Sequence, residues 1–178
     1  MPVPATVFGP GSKQPFASYF EGESAVEVQS IDDIVAWLQG CEYVTDLEQF
    51  NQRDFWQHPA AFERRRRGDC EDFALWTWRK LAEVGIDAEL CVGRVICVDR
   101  PDVDRQHAWV VYHLDGAAFL FEPAARTPSM MIRPLVDAMA DYVPHFSVNH
   151  RFDTTAFVGC ASDWRRYSPS RPERATSV

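Results

Sequence analysis

The chain has 178 residues, 46% of them hydrophobic, which suits one domain with its own core. A net charge of −8 argues against a general nucleic-acid-binding surface, and no run approaches the ~18 apolar residues of a membrane span. The start MPVPATVFGPGSKQPF lacks the basic-then-apolar order of a secretory leader; the five cysteines are odd in number and form no C-x-x-C pair, which fits reduced thiols and a cytoplasmic setting better than a disulfide framework.

Residues 1–16, rich in Pro and Gly, read as an irregular arm, and 17–28 have room for a short strand. Ser30 predicts an N-cap, Asp32 and Asp33 load the first turn, and Ile31, Ile34, Val35 and Leu38 form one stripe of a helix that Gly40 ends. Residues 41–58 mix aromatic and acidic side chains without a period. Pro59 suits the first turn of a short helix through Arg67, with Gly68 as its terminator. Asp69 then takes an N-cap position, and Cys70 opens a helix with apolar residues on most of its circumference, stopped by Gly85. Residues 86–98 are β-branched and apolar, 99–105 a polar loop, 107–114 a strand, and 117–122 its return after the Asp115-Gly116 turn. Pro123 stops that strand; a helix over 133–142 and one or two strands over 145–158 follow. The polar residues 163–178 read as a flexible tail, leaving a single domain over 1–162. Helices first and an antiparallel sheet afterwards predict an α+β fold.

Cys70 at a helix mouth is exposed to the macrodipole, which favours the thiolate, the nucleophilic form. A cysteine nucleophile needs a base within hydrogen-bond reach, and the base needs an orienting acceptor. His107 opens the apolar strand after the loop, and Glu122 ends the returning strand. They flank the hairpin turn by eight and six residues, which sets them close to opposite each other. His113 shares His107's strand face and is the rival base. The alternatives are an ordinary buried cysteine at Cys70, a strand-end histidine at His107 and a solvated strand end at Glu122. Arg64–Arg67 read as a solvated helix end or as a basic lip; Trp76, Trp78, Trp109, Cys91 and Cys97 read as core.

The runs DFWQHPAAFERRRRGDCED, AEVGIDAEL, QHAWVVY and FLFEPA, over residues 31–125, resemble the transglutaminase-like superfamily of papain-type cysteine enzymes, and in particular its bacterial transglutaminase-like cysteine peptidase branch. The resemblance implies a catalytic helix packed on an antiparallel sheet and a triad of Cys70, His107 and Glu122. The family's third residue is usually Asp; Glu122 is one methylene longer, so the hairpin or the imidazole must shift. The Cys70 amide is a natural oxyanion donor, with Trp56 or Gln57 as candidates for a second. No cofactor is required, although branch members that bind calcium do so through acids flanking the cysteine, here Asp69 and Glu71. The implied activity is thioester-mediated acyl transfer on a peptide or protein, most simply as a peptidase or amidase. A protein-glutamine deamidase or transglutaminase and a catalytically silent peptide-binding module are the alternatives; neither nucleic acid nor membrane is an expected partner, and the oligomeric state is open.

Overall fold

The computed structural model describes residues 14–96 and 104–157; the expected arm over 1–13, the loop over 99–103, the tail over 163–178, and Cys97 and Cys160 lie outside the described residues. Residues 17–28 form no strand: Phe16–Phe20 is a 3-10 turn, and the chain then runs irregularly to Ser30. There α1 (Ile31–Leu38) begins, its Asp33 amide donating to Ser30 Oγ at 3.2 Å. The serine oxygen satisfies a first-turn donor that no helix carbonyl can reach.

The stretch without a period is organised by a cap. After the two-residue strand β1 (Glu42–Tyr43), Thr45 and Glu48 close a capping box that starts α2 (Asp46–Phe50). Next, α3 (Pro59–Arg65) starts at the expected proline, with His58 Nδ1 accepting the Ala60 amide at 3.1 Å. It ends earlier than expected, at Arg66 in the left-handed region (φ 52°). Arg67 and Gly68 instead form β2 (Arg67–Gly68), parallel to β1. Gly68 is therefore a clearance residue, not a terminator: a Cβ there would lie 2.8 Å from the Asp72 Cβ. Three arginines of the run are tied down, with Arg65 over Phe50, Arg66 over Trp37, and Arg67 Nε 2.9 Å from Glu42 Oε2. All four arginines of the run stay exposed, as a solvated helix end would.

The helix α4 (Cys70–Glu83) is buried from Glu71 to Leu81, and Gly85 (φ 76°) follows its end. Trp76 and Trp78 lie in the core, as expected. Two cations are buried with it, and their partners explain why that is tolerated. Lys80 Nζ meets Glu83 at 2.7 Å and Glu63 at 3.4 Å and donates to Ser24 and the Val26 carbonyl. Arg79 donates to the carbonyls of Tyr19, Glu21 and Gly22. Together they bind the irregular segment 19–26 along the helix.

The sheet comprises β3 (Ala88–Ile96), β4 (Asp104–Leu114), β5 (Ala117–Phe121), β6 (Ile132–Pro134), β7 (Tyr142–Asn149) and β8 (Thr154–Ala156), ordered β6-β5-β4-β3-β7-β8 and antiparallel throughout. The short helices α5 (Pro128–Met131) and α6 (Leu135–Ala138) flank β6. The helix expected over 133–142 shrinks to α6 because β6 and β7 take its ends. Asp115 and Gly116 turn the β4–β5 hairpin with φ of 51° and 78°. Alternation divides the buried residues by face. Leu90, Ala108, Val110, Tyr112 and Val148 share a core with α4, whereas Cys91, Trp109, Val111, Leu120 and Tyr142 pack with α6. The result is the α+β architecture of a long helix on an antiparallel sheet. No helix among the described residues is long and apolar enough to cross a membrane.

Candidate active site

Cys70 is the first residue of α4, so its own amide has no acceptor within the helix. Its residue surface is partly exposed, and its thiol donates to Glu71 Oε2 at 3.2 Å. The Ala108 backbone amide, on β4, is the neighbour that acts to lower the thiol pKa. The expectation of a depressed thiol pKa is not met. Burial pushes the Cys70 thiol well above its ordinary value, and the Glu71 and Asp69 carboxylates add to that; the Ala108 amide works in the other direction without prevailing.

Ala108 follows His107, so that amide belongs to the backbone beside the imidazole. His107 Nε2 lies 2.6 Å from Glu122 Oε2. The ring stacks on Trp109 with a centroid separation of 6.3 Å and a 23° interplanar angle. With Nε2 donating to the carboxylate, the lone pair falls on Nδ1, the ring nitrogen nearer the backbone. His113 sits six residues along the same strand, roughly 20 Å away, and is removed as a rival.

The register makes the expected near-opposition a diagonal. Val110 pairs with Phe121, so continuing the ladder sets Glu122 opposite Trp109, and His107 is its diagonal neighbour. Glu122 spans that diagonal with its extra methylene. Its carboxylate is held on both oxygens: Oε2 also accepts from the Tyr142 hydroxyl at 2.8 Å, and Oε1 accepts from the Ala124 amide at 3.3 Å.

Around the start of α4 lies a crowd of acids. Asp69, Cys70 and Glu71 bring ligand atoms within 4.8 Å of one another, as do Asp46, Asp54 and Glu71, and Asp46, Asp69 and Asp72. Burial pushes the Asp46 carboxyl up to about 6 and Glu71 well above the usual carboxylate range. Asp46 Oδ1 and Asp69 Oδ1 are buried without a hydrogen-bond partner. Asp69 and Asp72 close a capping box at the start of α4, and Asp69 Oδ2 also accepts from the Asp46 amide at 3.2 Å. Asp46 and Asp54 were not singled out from sequence, although the Thr45-x-x-Glu48 box was a legible sign that Asp46 opens a helix.

Gln57 is fully engaged as a strut. Its amide donates to Asp72 Oδ1 at 2.7 Å, its side-chain NH2 to Asp72 Oδ2 and to the Arg67 carbonyl, and its Oε1 accepts from Arg65. No donor on it is left to face an oxyanion. The Trp56 indole donates to Asp54 at 2.8 Å, which leaves the backbone amides of Trp56 and Cys70 for that role. Beside the site opens a cavity of about 270 Å³, lined in part by Cys41, Tyr43, Phe73, Ala124 and Arg126. Tyr43 forms its rim: burial raises its phenol pKa, and the charges of Cys70, Asp69, Glu71 and Glu122 all act on it.

Residues 11–126, well over half of the chain, match the family described as bacterial transglutaminase-like cysteine proteinase. Among solved structures, the calcium-bound form of LapG from Legionella pneumophila matches with a TM-score of 0.55 at 17% identity, over 79% of this chain and 75% of that one. An EGTA-treated form of the same protein matches with a TM-score of 0.50 at 19% identity, over 78% and 66% of the two chains. At these identities the likeness is one of fold. A search of curated proteins finds no match.

Proposed function

Because the chain belongs to the bacterial transglutaminase-like cysteine proteinases, we propose that it is a cysteine peptidase acting on a peptide or protein through a thioester, with Cys70 as nucleophile, His107 as base and acid, and Glu122 as orienting group. The observation that carries this reading is the carboxylate-held imidazole on a strand that α4 packs against. His107 Nε2 lies 2.6 Å from Glu122 Oε2, and the backbone amide of the next residue, Ala108, acts on the Cys70 thiol.

The raised thiol pKa makes the resting sulfur a thiol, so proton removal accompanies attack. His107 Nδ1 takes the Cys70 proton as the sulfur bonds to the substrate carbonyl carbon. The oxyanion faces the Cys70 amide at the positive end of α4, with the Trp56 amide as the second candidate donor. The C–N bond then breaks, His107 gives its proton to the leaving amine, and a thioester remains on Cys70. Water attacks the thioester, His107 takes the water proton, and the carboxylic acid leaves as the proton returns to sulfur. Glu122 keeps the imidazole in the Nε2–H tautomer and stabilises its charged form throughout.

The acid cluster fits a hard divalent cation. Burial and mutual repulsion raise the Asp46 and Glu71 carboxyls, and Asp46 Oδ1 and Asp69 Oδ1 are buried without a donor, a crowding of acids that a cation would relieve. Asp46, Asp54, Asp69 and Glu71 would hold calcium. When bound, calcium would supply positive charge that offsets the carboxylates now disfavouring the thiolate.

The reading is tested with a peptide library containing glutamine, incubated with the protein, calcium and a primary amine, and read by mass. Cleaved peptides that vanish with Cys70→Ser are expected. Conversion of glutamine to glutamate, or amine incorporation without cleavage, would replace the peptidase by a deamidase or transglutaminase; peptide retention with unchanged mass would make it a binding module.

A further inference from the structure

The structure points to a fourth residue of the same site: we propose that Tyr142 is a positioning residue, whose hydroxyl fixes the Glu122 carboxylate and through it the tautomer and orientation of His107. The inference rests on the peptidase reading of the site but not on any particular substrate.

Glu122 needs such a tether. It reaches His107 along a diagonal, with a side chain that has one more torsion than an aspartate and so more ways to miss. Tyr142 donates at 2.8 Å to Oε2, the same oxygen that accepts from His107 at 2.6 Å. Two donors on one oxygen define where it sits, and the Ala124 amide on Oε1 at 3.3 Å fixes the carboxylate plane. The phenol is suited to this work. Burial and the neighbouring Glu122 both raise its pKa, so it stays a donor across the working pH range.

The sheet is shaped to bring it there. Tyr142 lies on β7, separated from β4 by β3. Its ring packs edge-to-face with Trp109, the centroids 5.1 Å apart, and the Arg133 guanidinium covers it at 5.3 Å, which leaves little freedom. Gly93 is the β3 residue paired with both His107 and Pro144, and the β3–β7 ladder shifts register there. A Cβ on Gly93 would lie 2.8 Å from the Pro144 Cα and 3.0 Å from the His145 nitrogen. The missing side chain is what lets the β7 backbone close in beside Tyr142.

The test is a double-mutant cycle on the intact protein, read as the rate at which iodoacetamide modifies Cys70. Tyr142→Phe keeps the ring and removes the hydroxyl; it is expected to slow modification about tenfold, the worth of a hydrogen bond to a charged group. In the Glu122→Gln background the same change is expected to have no further effect, because the hydroxyl acts only through that carboxylate. An equal slowing in both backgrounds would mean a structural role and would overturn the inference. The ring nitrogen resonances of His107 give a second readout: Tyr142→Phe is expected to move them from the Nε2–H pattern towards a tautomer mixture, and unchanged resonances would also overturn it. If wild-type Cys70 reacts no faster than in His107→Ala, the peptidase reading fails instead, and the ring resonances still decide the role of Tyr142.

Discussion

Glu122 stands where the family usually has an aspartate, and its length is matched to its register. The acid is set diagonally from His107, so shortening it does not restore a better triad. Glu122→Asp withdraws the carboxylate by roughly one carbon–carbon bond, ~1.5 Å, from an oxygen now 2.6 Å from His107 Nε2. We expect that substitution to lower the rate of Cys70 modification about tenfold, as loss of a charge-assisted hydrogen bond does; an unchanged or faster rate would show that the extra methylene is not used. The placement of Cys70, His107 and Glu122 was legible because each sits beside a local signal: a helix start, a strand opening, a counted hairpin. The counting put His107 and Glu122 close to opposite each other, eight and six residues from the turn, and the register fixed by Asp115 and Gly116 keeps that two-residue offset as a diagonal. Tyr142 had no local signal, since its contact with Glu122 comes from a strand two places away from β4 in the sheet.

Within each of the two elements that carry the site, the α4 start and the β3–β4–β7 ladder, one absent side chain permits a close approach. Gly68 gives Asp72 room to receive the Gln57 amide, which ties the segment before α3 to the first turn of α4. Gly93 gives β7 room to close on β3. Gly93→Ala would force its Cβ against the β7 backbone, which cannot rotate away as a side chain could. We expect a loss of about 1–3 kcal/mol of stability, the range for overpacking, with slower Cys70 modification as the strand bearing Tyr142 shifts. Full stability in denaturant unfolding would refute that packing argument. Helix starts were readable from Ser30, Pro59 and Asp69, whose capping and dipole chemistry is local. Helix ends were less so. Arg66 takes the left-handed turn that Gly68 seemed suited to, because β2 must pair with β1, and that pairing is not written in the arginine run.

At the scale of the whole molecule, opposed ionisations set the pH response. Asp72 is pushed up to about 8 and Asp46 to about 6, both chiefly by burial. Each holds its proton more tightly folded than unfolded, so each costs stability as pH rises from about 4 through those values. Glu63 is the reverse case. Burial raises its pKa, but hydrogen bonds from Ser24, Trp76 and the Ala25 amide outweigh that and leave it below the ordinary value. Its contribution is present above the unfolded pKa and is lost as pH falls. Thermal stability without divalent cations is therefore expected to peak on the acid side of neutral and to decline towards pH 8, with calcium flattening the decline; a rise through pH 8 in both conditions would contradict the reading of the acid cluster. That cluster was half legible. Asp69 and Glu71 flank the cysteine in sequence, while Asp46, on α2, and Asp54, in the segment after it, come from elsewhere in the chain. The decisive measurement is mass-resolved iodoacetamide labelling in calcium-containing buffer, comparing Cys70 with Cys41, whose thiol burial pushes to about 12, and with the buried Cys91. Labelling of Cys70 ahead of both, with the lead abolished by His107→Ala, is the predicted result; labelling of the three at one rate, or a lead that survives His107→Ala, would contradict a base-assisted nucleophile at this helix mouth.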